Sequence, residues 1–268
     1  SARTAARYYY LRQLFSDVLP QVAVVAQTSE DAERYYKLGA LPERTQVAGN
    51  LKFDIEVDQA TIALGQSLKA ALHARPVWIA GSTHAGEEEQ VLQAHRQVLA
   101  HQPDALLILV PRHPQRFAQV AQWLTAQPFK FVSRSTGHPP TSEDAVWLID
   151  TVGELMSFYA ASDVAFVGGS LVPIGGHNLL EPAALGLPVL TGPSVFNAPD
   201  ICEALRAQHA LSQVDSSEAL AEHLIELLGS STQRRAMGEA ANRVVQQGRG
   251  TLNKVLAQIQ QRASITLP

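Results

Sequence analysis

Sulfur is scarce in this chain, which has one cysteine, Cys202, and two methionines, Met156 and Met237. One cysteine excludes an internal disulfide and fits a reducing compartment, with a buried, inert thiol expected at Cys202. Positive charge is not in excess either. With 21 Lys and Arg against 25 Asp and Glu, and a pI near 6.1, the balance argues against a nucleic-acid binder that works through a general basic surface. No apolar run approaches the length of about 18 residues that a membrane span requires, and no stretch reads as a signal peptide. Repeats and low-complexity tracts are absent. So are several chemical signatures: H-E-x-x-H, an aspartate pair of the kind that holds Mg²⁺, G-x-G-x-x-G with an acidic partner, G-x-S-x-G and a Walker A loop. No metal site and no bound cofactor are expected.

What is present suits a soluble globular protein with a sizeable core: 46% apolar and 17% charged residues in 268, enough for one large or two ordinary domains. The opening Ser1-Ala2-Arg3-Thr4-Ala5-Ala6-Arg7-Tyr8-Tyr9-Tyr10-Leu11-Arg12 is basic and aromatic. It reads as an amphipathic helix, with contact to an anionic membrane surface as the rarer alternative. Residues 22–26 and 46–50 are short strands around a helix that Ser29-Glu30-Asp31 opens and Gly39 closes. Two strands and two helices bury little, so residues 1–53 read as the end of an α/β domain, with a boundary at Leu51-Lys52-Phe53-Asp54. Beyond it, residues 54–268 alternate apolar runs with amphipathic helical windows. The runs lie at 77–80, 105–110, 129–132, 145–149, 164–167 and 188–190, and six strands separated by helices predict a parallel sheet covered on both faces. His95 falls in a helical apolar stripe and is expected in the core, as is Met237. Residues 133–144, with Gly137, Pro139 and Pro140, read as a surface loop.

In such a sheet ligands bind outside the carboxyl ends of the strands, so the loops there carry the candidate site. One is Gly168-Gly169-Ser170-Leu171-Val172-Pro173-Ile174-Gly175-Gly176-His177-Asn178, followed by a helix expected to start near Asn178. Two glycine pairs and a helix start suggest an anion site, while Asn178 and Glu181 at a spacing of three also fit a capping box. Arg112, directly after a buried run, suits a phosphate through its planar fork, with a surface salt bridge as the alternative. His113 either donates to the same anion or is a loop histidine. Ser82 and Thr83 offer hydroxyls at a helix start, and N-capping explains them equally well. Glu87-Glu88-Glu89 reads as surface charge favoured by the helix dipole. Lys52 can meet a substrate anion, although solvent exposure is the commoner outcome for a lysine. Glu181 can accept from a sugar diol as well as cap.

These stretches together resemble the Kdo transferases of lipopolysaccharide synthesis. The resemblance runs through Gly49-Asn50-Leu51-Lys52-Phe53-Asp54, Gly81-Ser82-Thr83-His84 with Gly86-Glu87-Glu88, and Pro111-Arg112-His113-Pro114. It continues through Gly153-Glu154-Leu155 with Tyr159-Ala160 and the glycine loop with Leu180-Glu181-Pro182-Ala183-Ala184. It implies a GT-B fold, two Rossmann-like domains facing a cleft, and transfer of Kdo from CMP-Kdo to the lipid A precursor lipid IVA, with inversion and without a bound metal. It also implies that residues 54–268 are the donor domain. Pro111, Arg112, Gly153, Glu154, Leu155 and Met156 would line the CMP site, together with Gly176, Asn178 and Glu181. Ser82, Thr83, His113, Gly175 and His177 are expected among the residues that bind the donor. Met156 would pack on the cytosine and Glu181 would hold ribose hydroxyls. The family's acceptor domain, with its catalytic base and membrane contact at the cytoplasmic face of the inner membrane, is present only as residues 1–53. A soluble fragment that binds CMP or CMP-Kdo without transferring sugar is therefore expected. A GT-B enzyme using a UDP-sugar, as transferase or epimerase, and a partner-binding α/β domain without enzymatic activity are the competing readings.

Overall fold

The computed structural model describes residues 8–10, 12–15 and 17–263. Most of the basic opening stretch, and with it the amphipathic-helix reading, lies outside the described residues. The chain divides into two compact units, one of residues 1–54 with 246–268 and one of residues 55–245.

In the first unit β1 (Val24–Ala26) and β2 (Thr45–Val47) pair in parallel, with Val25 opposite Gln46. The helix between them, Ser29–Leu38, is capped by Thr28, whose hydroxyl accepts from the Asp31 N–H at 3.1 Å, one residue before the expected Ser29. It ends at Gly39 in the left-handed region, φ 111°, as the glycine predicts. The last helix, Thr251–Ala263, belongs to this unit too. Asp54 accepts main-chain N–H bonds from Gly250 and, at 2.6 Å, from Leu252. The buried Thr251 hydroxyl donates to the Ala48 carbonyl at 3.2 Å. A carboxylate on two amides at a helix start is a charge-assisted cap, and here it joins segments about two hundred residues apart in sequence.

The second unit is a seven-stranded, all-parallel sheet: β3 (Val77–Thr83), β4 (Leu106–Pro111), β5 (Phe131–Ser133), β6 (Val146–Leu148), β7 (Val164–Val167), β8 (Val189–Thr191) and β9 (Leu211–Gln213), in the order β5-β6-β4-β3-β7-β8-β9. Every residue of β3 is buried. Trp78 and Ala80 face a cluster with Val91, Leu92 and Leu224, whereas Val77 and Ile79 face Leu72 and Phe158. Both faces are covered, so the strand reads as a continuous apolar run and not as an alternation. Sequence reading found six of the seven strands. The seventh, β9, is a three-residue edge strand with one buried position, too short and too polar to leave an apolar run.

Strand β3 also runs past its apolar stretch. Gly81 pairs with Val110 and Thr83 with Pro111, and Ser82 is extruded between them at φ 59°. This is a bulge, a device that re-aims the chain at the end of a strand. His95 lies in the core as expected, fully buried. Its Nδ1 accepts from the Trp78 indole at 3.1 Å, and an indole nitrogen can only donate, so the proton sits on Nε2, 2.9 Å from the Ala145 carbonyl. Burial pushes the His95 pKa down to about 4.

The strand order defines where a ligand can sit. From the central β3 the chain moves to β4 on one side and later returns to place β7 on the other. The connections that follow β3, β4 and β7 therefore part at the carboxyl edge of β3, the switch point of an open α/β sheet.

Candidate functional site

The floor of this crevice is built around a carboxylate. Glu87 is fully buried. It accepts from the main-chain N–H groups of His84 at 3.0 Å, Gly169 at 2.7 Å, and Ser170 and Leu171 at 2.9 Å each. Glu88 is buried as well, accepting a forked pair of bonds from Arg116, at 2.7 and 3.1 Å, and one from the Thr83 hydroxyl at 3.1 Å. The expectation that Glu87-Glu88-Glu89 is surface charge is thus corrected: only Glu89 is exposed. A run of three glutamates at a helix start looks dipole-favoured because nothing local reveals that this turn docks beneath a glycine loop. The missed signal was the loop itself, whose buried N–H groups had to find an acceptor.

The glycine loop is correspondingly different from its sequence reading. Its amides at 169–171 address Glu87, so the anion that this part of the loop cradles belongs to the protein. Gly168 lies so close to β3 that a Cβ would come within 2.7 Å of the Ser82 carbonyl oxygen. At Gly175, φ 100°, a Cβ would meet the Phe196 ring at 2.5 Å. The far side is held by Ser194, whose hydroxyl accepts from the Gly175 N–H at 3.0 Å. Asn197 completes it, its side-chain amide donating to the Ile174 and Gly176 carbonyls. The Gly176 N–H closes on Gly169 at 2.8 Å.

The following helix spans Leu180–Ala184, two residues later than expected, and its N-cap, Leu179, provides no side-chain cap. Asn178 accepts from the Leu180 N–H at 3.1 Å and donates to Glu181 at 3.3 Å. That is an Asx turn leading into the helix, and the capping box is replaced by it.

The rim contains the groups with chemistry to spare. Arg112 follows the last residue of β4, the buried Pro111, and its main-chain N–H donates to Thr83 at 2.9 Å. Its side chain is exposed and makes no hydrogen bond or ion pair among the described residues. Its charge is felt by Glu181 and by His177. Burial raises the Glu181 pKa above the ordinary carboxylate value, against the pull of Asn178 and Arg112. Tyr159, buried beside Gly81, has its hydroxyl pKa raised by burial and by the charge of Glu181.

Three histidines meet here, one from each loop. The His84 and His177 rings touch Nε2 to Nε2 at 2.8 Å, and His113 stands edge-on to His84 with centroids 5.1 Å apart. His113 and His177 are among the residues expected at the donor site from the sequence, whereas His84, the last residue of Gly81-Ser82-Thr83-His84, is not. Among the described residues no group of three or more His, Cys, Asp or Glu side chains is arranged to hold a metal ion.

The remaining candidates stand somewhat apart. Glu154, at the start of helix Leu155–Ala160, is engaged by Arg134 at 2.8 Å and by the Thr151 hydroxyl. The Arg134 bond holds its pKa below the ordinary value. Leu155 and Met156 pack partly against the core with Leu68 and Leu185. Gly153, φ 89°, opens to free space next to the exposed Val152. Of the predicted residues, Arg112, His113, His177, Asn178 and Glu181 are drawn into one group, and Ser82 and Thr83 border it through the bulge. The 153–156 segment makes no hydrogen bond to that group among the described residues; Tyr159, later in the same helix, feels the charge of Glu181.

Comparison with known proteins bears on family and fold. Residues 1–55 match the family described as 3-deoxy-D-manno-octulosonic-acid transferase (kdotransferase), and residues 142–244 match glycosyl transferases group 1. The chain is 41% identical over 259 residues to a 3-deoxy-D-manno-octulosonic acid transferase of Haemophilus influenzae, covering 96% of this chain and 61% of the relative. With the enzyme of that name from Bordetella pertussis it shares 40% identity, covering 81% of this chain and 51% of the relative. It thus spans half to three-fifths of these relatives' length. Among solved structures, the C-terminal CMP-Kdo binding domain of WaaA from Acinetobacter baumannii aligns with TM-score 0.67 and 33% identity, over 70% of this chain and all of that domain. A putative UDP-N-acetylglucosamine 2-epimerase from Listeria monocytogenes, at 19% identity and TM-score 0.59, shares the fold. The motifs noted in the sequence, the parallel sheet and these matches agree, and the chain belongs to the Kdo transferase family.

Proposed function

We propose that this chain binds CMP-Kdo at the carboxyl edge of its seven-stranded sheet, as the donor half of a glycosyltransferase that moves Kdo to a sugar hydroxyl of lipid IVA. The observation that carries this is Arg112, a guanidinium without a partner among the described residues, which acts on Glu181 from the end of a buried strand. It occurs in a chain that aligns with the whole of a CMP-Kdo binding domain. In the transfer, the acceptor hydroxyl attacks the anomeric carbon with inversion and CMP departs. The charge that develops on the phosphate is met by Arg112, already in place before the bond breaks. Glu181, with most of its accepting capacity unused, takes the ribose hydroxyls. The open backbone at Gly153 admits the cytosine, and Met156 borders it. Ser82, Thr83, Pro111 and Glu154 shape the walls, while Gly175, Gly176 and His177 carry Asn178 to its place. No metal is assigned a part in this reading. The catalytic base, the acceptor site and the contact with the cytoplasmic face of the inner membrane are assigned to parts of the whole enzyme beyond the donor half. The 268 residues are accordingly proposed to bind donor without transferring it. Among the described residues no helix is long and apolar enough to cross a membrane.

Calorimetric titration with CMP tests the reading, and Arg112→Ala should weaken binding by the roughly 1.5–3 kcal/mol of a charged hydrogen bond. A thermal-shift panel separates the alternatives. Preference for UDP over CMP would point to a UDP-sugar enzyme, and no stabilisation by any nucleotide would point to a partner-binding domain. Full transfer to lipid IVA by the 268 residues alone would overturn the donor-only assignment.

A further inference from the structure

The histidine pair at the rim has a geometry that the donor-site reading does not use. The ring planes of His84 and His177 are 6° from parallel, with centroids 5.0 Å apart and Nε2 atoms 2.8 Å apart. A centroid distance close to that nitrogen gap plus two ring radii places the rings end to end in nearly one plane, so this is an in-line N–H···N bond and not a face-to-face stack. Such a bond needs one donor and one acceptor, and the two facing nitrogens therefore hold one proton between them. In the neutral pair the donating ring has a bare Nδ1. A second proton can enter there, giving an imidazolium that still donates through Nε2, so the inter-ring bond survives the change of charge.

Both rings are held in place by the closed floor. The His84 main-chain N–H donates to Glu87, and that of His177 donates to the Gly168 carbonyl at 3.2 Å. The charges facing His84 are Glu87, Glu88, His113 and Arg116; those facing His177 are His84, Arg112 and His113. Glu87 is already occupied by four amides and Glu88 by Arg116 and Thr83. Burial, with the neighbouring cations, lowers both imidazole pKa values, that of His177 to about 4.

We propose that His84 and His177 act as one proton-sharing unit that completes the anion site beside Arg112 and takes up a proton from solvent when the nucleotide phosphate docks. The inference rests on the reading of Arg112 as the donor-phosphate anchor. Its consequence is linkage: an anion that favours the charged pair binds more tightly as pH falls, by up to about tenfold per pH unit where a full proton is taken up.

The test uses cytidine 5′-methylphosphate, a phosphodiester with one fixed negative charge, so that above about pH 6, where the cytosine ring is neutral as well, any proton exchanged belongs to the protein. Calorimetry in two buffers of unequal ionisation heat, between about pH 6 and 8, should show net proton uptake that grows as pH falls. The double variant His84→Asn/His177→Asn should still bind through Arg112 but without uptake. Should that variant not fold, imidazole nitrogen shifts of the unaltered protein give the same answer, since the pair must titrate at higher pH with the probe bound than without it. Binding with buffer-independent heat, uptake that persists in the double variant, or unmoved ring titrations would each overturn the inference and leave the donor site standing. Absence of any binding would overturn both.

Discussion

Glu87 and Glu181 lie in the same crevice under opposite circumstances. Glu87 has its oxygens filled by four main-chain N–H groups and no exposure. Glu181 has one long bond from Asn178, partial exposure and a pKa raised by burial. A carboxylate whose accepting capacity is used up within the protein shapes a site, while one that is desolvated and left nearly unpartnered can gain from a ligand. The same contrast separates Arg116, forked onto Glu88, from Arg112, which has no such partner. Closed floor and open rim are thus told apart by hydrogen-bond accounting, which predicts that floor variants cost stability and rim variants cost binding.

The largest effect should come from Glu87→Ala. It strands the N–H groups of Gly169, Ser170 and Leu171 in a largely buried loop, and at about 1–3 kcal/mol for each orphaned donor the loss should be about 3 kcal/mol or more. Urea denaturation of the two proteins measures it. A loss below about 1 kcal/mol would mean that the floor is not closed by this carboxylate.

His95 gives the next effect. Its folded pKa of about 4 lies below the ordinary value of 6.5, so between these values the unfolded chain binds more protons. Stability is then complete above pH 6.5 and lost as pH falls toward 4, by about 3 kcal/mol at 1.36 kcal/mol per unit. His95→Gln should flatten that part of the pH–stability curve. An unchanged slope would assign the acid sensitivity to another group.

On the rim, Glu181→Gln should change stability in the opposite sense. A carboxyl with a raised folded pKa opposes folding once it is ionised, so the variant should melt at a higher temperature near neutral pH and match the parent in acid. CMP affinity should fall at the same time. A lower Tm near neutrality would place Glu181 with the floor.

Much of this arrangement could be read from the sequence, and the remainder has physical reasons. Six of the seven sheet strands were legible because a parallel sheet buried on both faces writes itself as apolar runs, and Arg112 was legible because it directly follows one of them. His95 was placed in the core by helical spacing. Pairings distant in sequence were not legible. Nothing around Glu87 announces Gly169, and nothing around His84 announces His177, 93 residues away. Asp54 likewise reaches amides at the start of the last helix. Glycine pairs before a helix point to an anion site, but nothing in the loop's own residues shows that its first anion is the internal Glu87. Edge strand β9 was missed because one buried residue makes no pattern.

The smallest effect should come from Arg134→Ala, and it probes whether the Thr151-to-Glu154 loop belongs to floor or rim. Arg134 and Glu154 form a 2.8 Å ion pair with each side chain about one-quarter exposed, so solvent screening limits its worth to about 0.5–1 kcal/mol. The sign follows from Glu154, whose pKa the pair depresses. That contribution is present above the ordinary carboxylate pKa and is lost as pH falls through the depressed one, so parent and variant should converge in acid. Gly153 and Val152 beside the pair face open space, and losing Arg134 leaves Glu154 to the Thr151 hydroxyl and removes the guanidinium that lies 5.8 Å from the Phe158 ring. CMP affinity should therefore fall less than in Arg112→Ala. If it fell as far, the loop would be held in its binding position by this pair alone, and the line between floor and rim would run through Glu154.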